Sequence, residues 1–277
     1  MKISRHCVTA KLTLGLIALG VALCGAVNAQ AQEHKVLRPE IEESTQDEHP
    51  MMPALRWAKG ELPRIQKIED YTCTLVKREL VDGTLTEHQY MFMKVRHEPF
   101  SVYMYFLAPS NMKGQEALYV DGAYDNKLMA HGTGLAALLK TFALDPKGPL
   151  AMKGNRYPIT EVGILNLVRQ LIEVGDHDIQ YGECEVRVTK KAKVNDRVCT
   201  MLEFTHPVPR REFRFHIARI FIDDELNLPI RYEAYGWPQE RGGKPVLLEE
   251  YTYVNLKLNQ GLKDMDFSTN NPDYSFK

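Results

Sequence analysis

One stretch of the chain, PFSVYMYFLAP at residues 99–109, limits the possible folds more than any other. An antiparallel strand usually alternates apolar and polar side chains, because one face meets the core and the other meets water. Here one set of alternate positions is entirely apolar: Phe100, Val102, Met104 and Phe106. The other set is also mostly bulky: Ser101, Tyr103, Tyr105 and Leu107. The sequence therefore predicts a strand that is covered on both faces.

Short strand-like runs with turn residues between them make up most of the chain after residue 70. Such runs are typical of an antiparallel meander, and we predict about ten strands with two or three helices. We expect residues 51–277 to form a single domain. Because a sheet of this size must curve or close, the predicted fold class is mainly β with helices (α+β). The expected form is a strongly curved antiparallel sheet or incomplete barrel with helices on its concave side.

Two other helical segments are predicted, one before the strands and one between them. Residues 53–71 place apolar side chains near helical spacing, and Gly60 and Pro63 predict a kink or a break within them. Residues 134–146 are interpreted as a second helix.

Residues 160–175 form the clearest amphipathic helix of the sequence. Thr160 is the expected N-cap and Gly175 the expected C-cap. The apolar stripe, which we expect to pack on the sheet, consists of Ile164, Leu165, Val168, Leu171 and Ile172.

The first residues are typical of a secretory signal peptide, with a basic flank, an apolar run and small residues at Ala29 and Ala31. We expect removal of residues 1–31 and an exported protein, periplasmic or extracellular, that is not an integral membrane protein after processing. The acidic residues 32–50 predict a flexible lead. Residues 1–31 hold three basic and no acidic residues, so the processed chain has 32 basic and 36 acidic residues, net −4. This balance argues against nucleic acid as a partner.

Three cysteines remain after processing: Cys73, Cys184 and Cys199. An odd number permits at most one internal disulfide. Residues 184–206 are predicted to be a hairpin with a three-residue loop at 195–197. In that hairpin Cys184 and Cys199 lie on opposite faces and too far apart for a bridge. The sequence leaves open whether Cys73 forms a disulfide with either of them.

The usual catalytic motifs are absent from the sequence, which has no nucleophile elbow, no phosphate-binding loop, no dinucleotide fingerprint and no zinc-binding histidine pair. We therefore expect no catalytic residue, no cofactor and no enzyme activity. His206, His216, Asp223 and Asp224 are close enough in sequence to suggest a metal site. Strand-surface histidines and a polar turn explain them better, and no metal is expected.

Four stretches, DYTCTLVKRELVDG, KVRHEPFSVYMYFLAP, GQEALYVDGAYDNKLMAH and RYPITEVGILNLV, resemble a family of exported bacterial proteins, DUF1571. Later stretches fit as well, so the resemblance covers residues 52–276. The order of elements is more loosely similar to the periplasmic lipoprotein carriers of the outer-membrane lipoprotein-sorting class. That resemblance implies a half-barrel whose apolar concave face, lidded by helices, holds acyl chains. A lipid or a lipidated protein is then the expected partner.

The candidate ligand-lining residues are apolar side chains of the 99–109 strand and its neighbours: Phe100, Val102, Met104, Phe106, Met91, Met93 and Leu118. Methionine adapts to irregular contents, which suits a binding surface. Arg96 is the candidate contact for a ligand head group. Two functions are predicted. One is a carrier or binding module for lipid or lipidated protein, and the alternative is a non-catalytic structural or interaction protein of the cell envelope with a self-filled core.

Overall fold

A computed structural model describes residues 39–42, 44–45, 47–134 and 141–276. The predicted signal peptide at residues 1–31 lies outside the described residues, as do residues 135–140 of the second predicted helix. Residues Lys35–Lys277 form one compact unit. In the described part of the chain, no helix combines the length and the apolar character needed to cross a membrane.

The described chain contains a single antiparallel sheet of twelve strands. The strands are β1 (Asp70–Val81), β2 (Thr84–Leu85), β3 (Gln89–Arg96), β4 (Ser101–Ala108), β5 (Glu116–Val120), β6 (Leu128–His131), β7 (Phe142–Leu144), β8 (Glu185–Val194), β9 (Arg197–Thr205), β10 (Ile217–Asp223), β11 (Pro229–Gly236) and β12 (Val246–Leu258). Their order across the sheet is β7-β6-β5-β4-β3-β1-β12-β11-β10-β9-β8, and β2 pairs with β1. The sheet is not closed, and the predicted class, a curved antiparallel sheet with helices, is confirmed.

Within the described residues, three α-helices and three short 3₁₀ turns accompany the sheet. They are α1 (Met52–Gln66), α2 (Pro149–Met152), α3 (Ile164–Asp178) and the turns Tyr124–Asn126, Ile159–Glu161 and Asp264–Phe267. Of the two alternatives for the first helix, a kink or a break, the break is wrong, because α1 continues through Pro63. Packing of Leu62 and Ile65 against the core holds this helix together in spite of the proline. The prediction of a helix at 134–146 is also wrong for Phe142–Leu144, which pairs with β6 as a strand.

The two faces of the sheet differ in what they contact. Met93 of β3 and Met104 of β4 lie opposite each other and share a core cluster with Ile164 and Val168 of α3. We call this side the inner face and the opposite side the outer face. Since side chains alternate along a strand, Val102 and Phe106 also belong to the inner face.

The apolar stripe of α3 packs as predicted. Ile164, Leu165 and Val168 are buried, and all three belong to the core cluster that includes β1, β3 and β4. Ile172 packs against the same cluster. Leu171 packs against a neighbouring cluster formed on the inner face of β9 to β11.

The predicted caps of this helix are wrong. Thr160 lies in the 3₁₀ turn, and the N-cap is Gly163. Gly175 lies inside α3, where a Cβ atom would come within 3.1 Å of Leu55 Cδ1. The glycine therefore allows α1 and α3 to approach each other closely, and the helix continues to Asp178.

The outer face of β4 is covered by the C-terminal segment. The ring of Tyr274 stacks on that of Tyr103, with centroids 3.8 Å apart and planes 5° apart. Phe267 and Phe276 join Tyr103 and Leu118 in one buried cluster. The strand is thus covered on both faces over most of its length, by helices on one side and by the end of the chain on the other, and Leu107 near its end is 39% exposed.

Ion pairs occupy the outer face at the other half of the sheet. Arg231 Nη2 lies 2.6 Å from a Glu250 oxygen, and Arg231 Nε lies 2.7 Å from Glu233. On the next strands Arg219 Nε lies 2.7 Å from Glu203. The Arg231–Glu250 and Arg219–Glu203 pairs join neighbouring strands, and the Arg231–Glu233 pair lies within β11. Opposite charges on facing positions of neighbouring strands stabilise a sheet.

Part of the acidic segment at residues 32–50 contacts the domain. Ile41 packs against the inner-face cluster of β9 to β11. His49 Nε2 lies 2.8 Å from the carbonyl oxygen of Tyr181, and Arg56 of α1 pairs with Glu48 at 2.6 Å. The described residues of this segment are therefore attached to the fold at several points.

The β8–β9 hairpin has a tighter turn than predicted. Val194 pairs with Arg197, so the loop has two residues and not three. A positive φ of 50° at Asn195 fits the turn types that favour the twist of a two-residue hairpin. Cys73, Cys184 and Cys199 are all free and buried. The three side chains lie in three different core clusters, and the structure joins none of them by a disulfide.

Candidate functional site

A cavity of about 370 Å³ lies between the inner face of the sheet and α3, and we call it the central cavity. Its sheet wall comes from the central strands, including Leu75 of β1 and Tyr253 of β12. Leu167, Leu171 and Val174 of α3 form part of the opposite wall. Its size falls within the roughly 300–1,000 Å³ range of small-molecule sites, which are also mostly apolar.

Three of the sequence-predicted residues line the central cavity: Met91, Met104 and Phe106. Val102 and Met93 lie on the same face, but both are fully buried in the closed core and do not line the cavity. Of these five predicted residues, three therefore form cavity wall and two belong to the packed core.

Two further predicted residues lie elsewhere. Phe100 lines a separate cavity, described below. Leu118 pairs with Tyr103 and belongs to the outer-face cluster, so its grouping with Met104 is corrected. Its strand neighbour Ala117 faces inward instead and lines the central cavity.

Arg96, the candidate head-group contact, lies on the outer face. Its Nη1 lies 2.6 Å from Asp264, its Nη2 donates to Ser101 Oγ at 3.0 Å, and its guanidinium lies over the ring of Phe267. Because side chains alternate along β3, Arg96 points away from the cavity that Met91 lines. Arg96 therefore contacts the C-terminal segment on the face away from the cavity, and the head-group assignment is corrected.

A cluster of paired charges forms one part of the central cavity wall. Lys77 Nζ lies 2.9 Å from Glu79 Oε2 and 2.6 Å from Asn155 Oδ1. Tyr251 Oη donates to the other oxygen of Glu79 at 2.5 Å. Glu79 and Lys77 are both nearly buried, at 3% and 11% side-chain exposure, so this pair is largely removed from water.

A second pair adjoins the first. Arg156 Nε donates to Glu249 Oε2 at 2.8 Å, and Tyr157 Oη donates to Glu249 Oε1 at 3.2 Å. Burial raises the pKa of Glu249, while Arg156 and Tyr157 favour its charged form. Burial, followed by the charge of Glu249, raises the pKa of Tyr157 to about 12, so this tyrosine stays a neutral hydrogen-bond donor. We call the four charged residues Lys77, Glu79, Arg156 and Glu249 the paired-charge cluster.

Sequence reasoning missed this cluster, although one signal for it was available. Lys77 and Glu79 follow Leu75 at alternate positions of β1, so they share the parity that meets the core. Charged residues at core positions of a central strand are rarely fully buried unless they are paired. Their partners Arg156 and Glu249 lie far away in sequence and carry no comparable local signal.

A second cavity of about 530 Å³, the side cavity, opens on the other side of Val162 and Gly163, which line both cavities. Its walls include Phe100, His97 and Arg169. Burial, with a smaller contribution from Arg169, lowers the pKa of His97 and favours its neutral form. More than half of the residues that line the side cavity are polar or charged, so it offers less apolar surface for a hydrocarbon chain.

The two histidines that suggested a metal site are neighbours, but they lie apart from the two aspartates. His216 precedes β10 and Asp223 ends it, so they lie at opposite ends of that strand. His206 Nε2 lies 3.1 Å from Asp178, and Asp223 accepts hydrogen bonds from Arg197. Among the residues with described positions, no group of three or more His, Cys, Asp or Glu could hold a metal ion.

The three cysteines are poor nucleophiles. Burial raises the pKa of Cys184 to about 12 and that of Cys199 to about 12, with nearby aspartates adding to both shifts. Burial also raises the pKa of Cys73. Because the thiolate is the reactive form, these side chains are held in the unreactive thiol form.

The fold is similar to several solved structures at low sequence identity. A putative outer membrane lipoprotein-sorting protein domain from Vibrio parahaemolyticus is 15% identical, with a TM-score of 0.37, covering 77% of this chain and 98% of that one. The Mycobacterium tuberculosis lipoprotein LppX is 13% identical, with a TM-score of 0.44, covering 76% and 98%. A DUF1329 family protein from Desulfovibrio piger is 12% identical, with a TM-score of 0.38, covering 78% and 96%.

A comparison with curated proteins finds no match. The protein-family comparison does find one, over most of the described domain. The model of a family described as "Protein of unknown function (DUF1571)" matches residues 68–276, from the segment before β1 to the C-terminal cover of β4, and the chain belongs to this family.

Proposed function

We propose that this protein is an exported, non-catalytic carrier or binding module for a lipid or a lipidated protein, whose apolar chain occupies the central cavity. The observation that carries the proposal is the cavity of about 370 Å³ beneath α3, on the inner face of the sheet. Met91, Met104 and Phe106 supply an apolar wall, and Leu167 and Leu171 of α3 supply the other side.

Simple energetics support a reversible carrier. Burial is worth roughly 0.8 kcal/mol per methylene, so about a dozen methylenes would contribute roughly 10 kcal/mol. Association costs at least about 4 kcal/mol. The remainder corresponds to a dissociation constant of roughly tens of micromolar, which is weak enough for release.

The alternative function is a structural or interaction protein of the envelope whose core is filled by its own side chains. The closed core at Val102 and Met93 favours this reading for one part of the inner face. The two functions make different predictions for neighbouring positions on the same strand, and β4 offers a matched pair of substitutions.

Met104→Trp is the test variant and Val102→Trp is its control. Met104 lines the cavity, so the added bulk should occupy ligand space, displace lipid and destabilise the protein less than the same substitution at Val102. Val102 is 0% exposed within closed packing, so the same substitution should cost about 1–3 kcal/mol. Ligand occupancy is measured by native mass spectrometry of protein purified mildly from its own envelope fraction, and stability by urea unfolding.

The carrier function requires bound lipid on the wild type and its loss from Met104→Trp. Equal destabilisation by both substitutions, together with a wild type that carries no bound lipid, would support the structural alternative.

A further inference from the structure

The wall of the central cavity changes from apolar to polar along the β1–β12 pair. Leu75 lies opposite Tyr253, Lys77 lies opposite Tyr251, and Glu79 lies opposite Glu249. All six residues line the cavity. A molecule with an apolar chain against the first of these pairs would therefore place its polar end against the last.

The charges on this wall are already neutralised. Lys77 pairs with Glu79 at 2.9 Å, and Arg156 pairs with Glu249 at 2.8 Å. The carboxylates are 3% and 6% exposed, so water contributes little to their neutralisation. The paired-charge cluster contains two cations and two anions and has no net charge.

The two remaining charged residues of the lining lie outside this cluster. Arg214 and Glu161 are the other two among the described residues that line the cavity. Arg214 is 62% exposed and lies 3.9 Å from Glu173, and Glu161 accepts a hydrogen bond from Gln170. An ionic head group placed against the paired-charge cluster would lose its water without gaining a free counter-charge there, and burying an unpaired charge is costly.

The cluster nevertheless keeps hydrogen-bonding capacity. The ammonium of Lys77 can donate three hydrogen bonds, and two are accounted for by Glu79 and Asn155. The hydroxyl oxygen of Tyr157 can accept as well as donate. A small uncharged group such as a hydroxyl, an ester or an amide could exchange hydrogen bonds here without upsetting the charge balance.

We propose, resting on the carrier function above, that the natural ligand is an uncharged amphiphile whose polar end lies against the paired-charge cluster. The cavity thereby selects against fatty-acid anions and against cationic amphiphiles. The recognised class is a single apolar chain that ends in an alcohol, ester or amide.

The test compares three ligands with the same twelve-carbon chain: 1-dodecanol, dodecanoate and dodecylammonium. Each competes at pH 8 with the uncharged fluorescent probe N-phenyl-1-naphthylamine for the processed chain. We expect 1-dodecanol to displace the probe at least tenfold more effectively than either ion. Equal or tighter binding of an ion, with the alcohol also bound, overturns the inference and leaves the carrier function intact. Failure of the probe and of all three ligands to bind overturns both.

A charge substitution locates the head group. Glu79→Gln leaves Lys77 without its carboxylate, so the ratio of dodecanoate to dodecanol affinity should rise at least tenfold. Glu203→Gln removes the same charge on the outer face, beside Arg219, and should leave the ratio unchanged. A folded Glu79→Gln protein with an unchanged ratio would overturn the assignment of the head group to this cluster. The wild-type comparison tests the inference even if the variant does not fold.

Discussion

Gly163 and Tyr71 should be energetically coupled, because the start of α3 depends on both. Gly163 has φ 110° and ψ 161°, a backbone region that is essentially restricted to glycine. A Cβ atom at this position would lie 2.9 Å from Tyr71 Oη. That same hydroxyl accepts a hydrogen bond of 3.0 Å from the N–H of Ile164, the first residue of the helix.

The expected costs follow from these contacts. Gly163→Ala should cost about 1–3 kcal/mol in backbone strain. It should cost about 1 kcal/mol more because the methyl group pushes the Tyr71 hydroxyl off the Ile164 N–H. Tyr71→Phe should cost about 1–3 kcal/mol, because it leaves a buried N–H without a partner. In the double variant the hydroxyl is already absent, so the total should fall short of the sum by about 1 kcal/mol.

Urea unfolding of the wild type, the two single variants and the double variant, followed by circular dichroism, measures this coupling. Gly60→Ala is the control, because Gly60 lies in α1 with no atom within 4 Å of the added methyl group. That substitution should stabilise the protein by about 0.4–1 kcal/mol. Strict additivity of the two site variants, or a harmless Gly163→Ala, would refute the account of how α3 begins.

Three further predictions test the stripe, the turn after β10 and the N-terminus. Leu171→Asp should destabilise the protein by about 2–4 kcal/mol, because it places a charge against apolar packing; an unchanged melting temperature would mean that the stripe faces water. Burial raises the pKa of Asp223, but hydrogen bonds from Arg197 and from backbone N–H groups outweigh burial and hold it below its usual value. The ionised Asp223 should therefore stabilise the fold above about pH 4, and this stabilisation should be lost as the pH falls through the lowered pKa of Asp223. The difference in melting temperature between the wild type and Asp223→Asn should shrink in acid. N-terminal sequencing of the exported protein should find cleavage near Ala29 or Ala31; a membrane-embedded form that retains Met1 would contradict this prediction.

Local periodicity in the sequence was enough to predict the elements with strong repeats. The alternation in residues 99–109 predicted a strand with two covered faces, and the spacing of Ile164, Leu165 and Val168 predicted which side of α3 is buried. These patterns follow directly from the two-residue repeat of a strand and the 3.6-residue repeat of a helix. The ends of α3 were predicted wrongly, because Gly175 serves contact with Leu55 and does not cap the helix.

Which segment of the chain covers the outer face of β4 depended on the tertiary structure. Tyr103 stacks on Tyr274, and Arg96 pairs with Asp264, in both cases across more than 160 positions of the chain. No local pattern around residue 103 indicates which distant segment will reach it. For the same reason Arg96 was expected at a ligand, although it contacts the C-terminal segment.

The paired-charge cluster depended on the tertiary structure most of all. Glu79 meets Glu249 because β1 pairs with β12, the first strand with the last. Arg156 reaches them from the segment before α3 and supplies the charge that makes their shared burial tolerable. A strand pattern specifies the face on which a side chain lies, whereas the electrostatics of a buried charge depend on every group within a few ångströms. Only the folded chain brings those groups together around the cavity.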